Sequence, residues 1–112
     1  MVFVEVETDA GLTGLGEALH YRTTGLVESL RRMRDYLIGK DPLQIELHWE
    51  LLYRSGANPA ALSGIDTALW DVLGQASGQP IYALLGGKCR QSMRVYVDGF
   101  FRGASYVQAE YA

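Results

Sequence analysis

One stretch constrains this chain more than any other: Ala60 to Lys88. Within it Leu62, Ile65, Leu69, Val72 and Ala76 recur at steps of three and four, the period of a helix with one buried stripe. Trp70 and Leu73 widen that face. Ala60, Ala61, Gly64 and Ala68 are small, so a second backbone can approach the helix closely. Gly78 suits the C-terminal cap, because glycine enters the left-handed region without steric cost. Pro80 fits the first turn of a short second helix over 80–85, and Gly86-Gly87 ends it.

The flanking sequence supplies partners for that helix. Val2, Val4 and Val6 alternate with Phe3, Glu5 and Glu7, which predicts a half-buried strand. Asp9-Ala10-Gly11 reads as a turn, with Leu12 to Ala18 returning antiparallel. Gly14 and Gly16 mark a bend or a close backbone approach in that second strand. A two-stranded sheet is marginal in water and leaves both edges open, so the hairpin calls for a third strand. Thr23 or Thr24 is the expected cap of a helix whose stripe is Leu26, Leu30, Met33 and Leu37, with Arg31, Arg32, Arg34 and Asp35 on the wet side and Gly39 as its stop. Asp41-Pro42-Leu43-Gln44 predicts another helix start, with Asp41 as cap, Pro42 at the first position and Gln44 reaching back. Ile45, Trp49 and Leu52 are expected to face inward, with a loop over 55–59. Arg94 to Asp98 alternates like a further strand, with Val95 and Val97 on one side, and 105–112 begins like a helix.

The chain of 112 residues with a net charge of -3 suits one small domain and argues against nucleic acid as a partner. Its apolar runs fall far short of a membrane span. The start of the chain enters the strand pattern with no charged-then-apolar leader before it. A single cysteine, Cys89, cannot form an internal disulfide, which points to a reducing cytoplasm.

The motif Ala61-x-Ser63-Gly64-Ile65-Asp66-x-Ala68-Leu69-x-Asp71, then Gly74-Gln75, then Pro80-Ile81-x-x-Leu84-Leu85-Gly86-Gly87, resembles the signature of the mandelate racemase and muconate lactonizing enzyme family, part of the enolase superfamily. Gly14-Leu-Gly-Glu-Ala18 and Asp41-Pro42 extend the resemblance over most of the chain. It implies an α+β fold: an N-terminal capping domain of antiparallel hairpin plus helices over 1–87, lacking its first strand. Residues 88–112 would then begin a β/α barrel with its first strand and the start of its first helix. It also implies a magnesium-dependent parent enzyme that removes the proton beside a carboxylate. A sugar-acid dehydratase is the first expectation, with a racemase or cycloisomerase as the alternative. A non-catalytic α+β interaction module is the reading from another class.

In this family the metal is held by three carboxylates on successive barrel strands, spaced by roughly 20 to 30 residues each. After Asp71 the only acids are Asp98 and Glu110, and the lysines Lys40 and Lys88 stand alone, without the family's Lys-x-Lys base motif. No catalytic residue and no metal ligand therefore carries over, and the piece alone is expected to be inactive. The resemblance does imply substrate-pocket candidates. Arg54, Ser55 and Asn58 lie in the capping loop that approaches the barrel mouth, where Arg54 could grip a carboxylate in a two-pronged fashion, although a surface arginine capping the end of a helix is the favoured reading. Asp98 and Arg102 follow the first barrel strand, at the end where such barrels place their active face. A small sugar acid is the expected partner, in a homo-oligomer.

Blander readings win elsewhere. Gly11-x-x-Gly14-x-Gly16 sits in a hairpin and lacks the lysine of a phosphate loop. Asp66 and Asp71, five apart on a helix, point about 140° from each other and cannot share one substrate. They are expected to accept hydrogen bonds from backbone or arginine groups at the seam between cap and barrel. His20 and His48 read as satisfied or exposed histidines, and Trp49 and Trp70 as core. Cys89 lies beside Lys88 and Arg90 but has no readable catalytic partner.

Overall fold

The valine alternation at the start of the chain forms a strand, and the sheet it founds lies on the long helix. The computed structural model describes residues 2–19 and 24–95, and its elements run β1 (Val2–Glu7), β2 (Thr13–Ala18), α1 (Leu26–Leu37), α2 (Ile45–Arg54), α3 (Pro59–Ser77) and α4 (Ile81–Leu84). β1 and β2 pair antiparallel in an unbroken register from Val2↔Ala18 to Glu7↔Thr13. The turn between them uses Gly11 at φ 79°, a conformation costly for any residue with a Cβ. The α+β architecture expected from the motif is thus present: a hairpin covered on one face by helices.

α3 is the centre of the core. Leu62, Ile65, Leu69 and Val72 are buried as their spacing predicts, while Ala76 is exposed. Trp70 and Leu73 are half-buried against the core. Asn58 opens the helix by accepting from the amides of Ala60 and Ala61, followed by Pro59 in the first turn; Gly78 closes it at φ 64°. The two glycines of β2 meet the small residues of α3. A Cβ on Gly16 would overlap the carbonyl oxygen of Gly64, and one on Gly14 would overlap that of Ala68. The missing side chains let strand backbone lie directly on helix backbone, as the close-approach reading of both stretches required.

The helix starts before α3 depart from expectation. α1 is preceded by Gly25 at φ 82°, and no side chain caps it; Thr23 lies outside the described residues. Its stripe holds, with Leu26 and Met33 fully buried. α2 begins at Ile45, not at Pro42. Asp41 instead accepts from the amide of Leu43, which closes a local turn and leaves Gln44 as a cap without a side-chain bond. Trp49 does not face inward. The residue is 42% exposed and its ring stacks on Tyr53 at 5.0 Å, while His48 takes the buried position between Ile45 and Leu52. The steps from 45 to 48 to 52 match a helical stripe as well as those through 49 do, and His48 finds polar partners inside. α4 and its glycine stop fall within a residue of expectation. Of the expected strand from Arg94, residues up to Val95 carry no strand, and the remainder, like the helix over 105–112, lies outside the described residues.

Candidate functional site

Three surfaces hold the polar side chains that chemistry would need. The first is the α2–α3 connection. Arg54, the last residue of α2, places Nη2 2.6 Å from Oε1 of Glu50 one turn back. Ser55 donates its hydroxyl to the Leu52 carbonyl at 2.7 Å. Asn58 spends its side-chain oxygen on the α3 amides, and its own amide donates to Oγ of Ser29 on α1 at 3.0 Å. The loop therefore brings Arg54, Ser55 and Asn58 to one end of the helical layer and holds each by a local partner. Asp98 and Arg102 lie outside the described residues.

The second surface is a groove of about 790 Å³ between β1 and the α1–α2 corner, floored by Ile65 and Leu69. Its rim carries Glu5, Glu7 and Asp9 on the strand side and Arg34 and Lys40 on the helix side. His48 borders it from below. Nε2 of His48 lies 2.7 Å from the Asp41 carbonyl, which can only accept, so that nitrogen carries the proton. Nδ1 lies 3.2 Å from the Tyr36 hydroxyl. The ring thus ties α1, the corner and α2 together as a satisfied core histidine. Its in-phase place between Ile45 and Leu52 was the signal that could have located it.

The third surface carries the two aspartates of α3, which turn to different neighbours as their spacing dictates. Asp71 accepts from the Leu15 amide of β2 at 2.9 Å. Asp66 turns toward α2, where burial, and secondarily the Glu46 carboxylate, raise its pKa above the ordinary 3.8. Gln75, one turn beyond Asp71, donates from Nε2 to the Thr13 carbonyl at 2.7 Å. Among the described residues no group of three or more histidines, cysteines, aspartates or glutamates is placed to hold a metal ion, so they do not fit a magnesium site. No helix among them is long and apolar enough to cross a membrane.

The comparisons with known proteins converge. The family described as "Mandelate racemase / muconate lactonizing enzyme, N-terminal domain" matches residues 1–86. A D-galactonate dehydratase of Ralstonia pickettii (strain 12J) is 43% identical over 102 residues, covering 85% of this chain and 27% of the relative. Another, from Xanthomonas campestris pv. campestris (strain B100), is 40% identical over 116 residues, covering 96% of this chain and 30% of its own length. An enolase from Agrobacterium radiobacter, solved with sodium and L-malate bound, superposes with a TM-score of 0.70 at 36% identity, over 79% of this chain and 24% of that one. A member of the enolase superfamily from Salmonella Typhimurium gives 0.69 at 35% identity, over 79% of this chain and 25% of its own. The chain thus spans about a quarter of the length of the relatives it matches.

Proposed function

Because this chain belongs to the mandelate racemase / muconate lactonizing enzyme family, we propose that it is the capping portion of a sugar-acid dehydratase. The observation that carries this reading is the 43% identity with a D-galactonate dehydratase through 85% of the chain. In such a reaction a base takes the proton beside the carboxylate, the resulting carbanion is stabilised as its enolate form, and the β-hydroxyl leaves as water. The enol that results tautomerises to a 2-keto-3-deoxy acid. Magnesium is the cofactor we assign to the complete enzyme, whose anion it would stabilise when bound.

In this reading residues 1–87 form the cap, 88–112 open the barrel, and the free edge of β1 is where a further strand of the cap belongs. The cap's part is to shape and close the pocket. Arg54, Ser55 and Asn58 would present the α2–α3 loop to the sugar acid, with Asp98 and Arg102 contributing from the barrel side. The anchoring of the loop residues by Glu50, Leu52 and the α3 amides supports this, since a pre-ordered loop loses less freedom on closing over a ligand. The complete enzyme would work in the cytoplasm as a homo-oligomer.

The test is an assay of the complete protein, with magnesium, on D-galactonate and related sugar acids. Appearance of a 2-keto-3-deoxy acid is expected. Racemisation or cycloisomerisation without loss of water, or no turnover on any sugar acid, would overturn the dehydratase assignment.

A further inference from the structure

The two edges of the sheet are treated differently. In an antiparallel ladder the N–H and C=O of one residue point the same way, and neighbouring residues alternate. Thr8 N donates to Leu12 O at 2.9 Å, so the pairs in phase with it, such as Val6↔Gly14 and Val4↔Gly16, are the ones that bond across the hairpin. Thr13 and Leu15 are out of phase, and their backbone groups face away from β1. On β2 two of these outward groups are taken by α3: Asp71 accepts from the Leu15 amide and Gln75 donates to the Thr13 carbonyl. On β1 the equivalent groups of Phe3, Glu5 and Glu7 are bonded by no described residue, and Glu5 and Glu7 border the groove beside the α1–α2 corner. β1 has no proline or bulge, and Glu5 and Glu7 are its only charges.

We propose that Asp71 and Gln75 are edge guards: they close the outer edge of β2 to pairing with the same edge of a second copy of this chain. The two residues belong to the long motif, yet they do no acid–base work in this placement. Asp71 is committed to a backbone amide 56 positions away in sequence, and Gln75 to a carbonyl 62 positions away. An exposed amide and carbonyl at those two positions would template pairing with another chain, a second copy above all, because every copy would carry the same vacant edge. A carboxylate is the stronger choice for the amide, since an ionised acceptor makes a shorter and tighter bond than a neutral one. The glutamine amide supplies the donor that the carbonyl needs.

The test uses the complete protein with D71A/Q75A, D71N and Q75E. Two quantities are read: amide exchange over Thr13–Glu17, and sedimentation across a concentration series. In D71A/Q75A the Leu15 amide should exchange roughly tenfold faster or more, as expected for losing a charged hydrogen-bond partner. The same variant should sediment as species larger than the native assembly, increasingly so at higher concentration. D71N keeps a neutral acceptor for Leu15, so its Leu15 amide should exchange more slowly than in D71A/Q75A and its sedimentation should match the unsubstituted protein. Q75E sets a carboxylate against the Thr13 carbonyl and should associate with its helices intact; if D71A/Q75A does not fold, Q75E decides. Unchanged exchange, or faster exchange with native sedimentation throughout, would overturn the proposal.

Discussion

At the residue scale, Asp66 and Asp71 show how one residue type on one helix meets different surroundings. Asp71 accepts from the Leu15 amide. Asp66 is disfavoured as a carboxylate by burial and then by Glu46. A carboxyl whose folded pKa exceeds its unfolded value binds its proton more tightly in the folded state. Its contribution therefore falls as pH rises from 3.8 through the raised value, and the penalty persists above that. Asp66→Asn should raise stability near neutral pH by at most about 0.5 kcal/mol, the scale of partly exposed charge pairs. The gain should vanish below pH 3.8. Thermal melts of the two proteins at acidic and neutral pH check this, and a variant less stable near neutral pH would contradict it.

At the scale of elements, strand-on-helix contact is the interaction most sensitive to a single atom. Gly16→Ala places a methyl group into the Gly64 carbonyl, and backbone on both sides leaves it nowhere to go. We expect a loss of about 3 kcal/mol or more, at the upper end for overpacked sites. Gly11→Ala, where the space is open and only the positive φ of 79° resists, should cost about 1 kcal/mol. Denaturant melts compare the two; equal costs would show that the close approach carries no weight. Both halves of this contact were legible in the sequence, as strand glycines on one side and small helix residues on the other. What was not legible was the finer competition within each element. Asp41 turned from helix cap to local turn because Leu43 offers a nearer amide. His48 displaced Trp49 from the core because Tyr36 and the Asp41 carbonyl satisfy both its nitrogens, and those partners become neighbours only once α1 and α2 have packed. Asp71 and Gln75 likewise found partners on a strand more than fifty residues earlier, a pairing that helical periodicity does not encode.

At the scale of the whole molecule, the long motif predicted architecture better than chemistry, because it describes a helix, its caps and its strand contacts. The family and the α+β fold followed from it, and both the match over 1–86 and the superpositions agree. The candidate site was legible only as a loop: the structure gathers Arg54, Ser55 and Asn58 but shows each engaged locally. The central claim is a division of labour in which this part shapes the pocket and residues elsewhere in the longer protein perform the reaction. A crystal structure of the complete protein with magnesium and D-galactonate tests it most directly. Every carboxylate on the metal should come from outside residues 2–95, with the loop from Arg54 to Asn58 turned toward the sugar acid. A metal ion held by a carboxylate within 2–95 would contradict it.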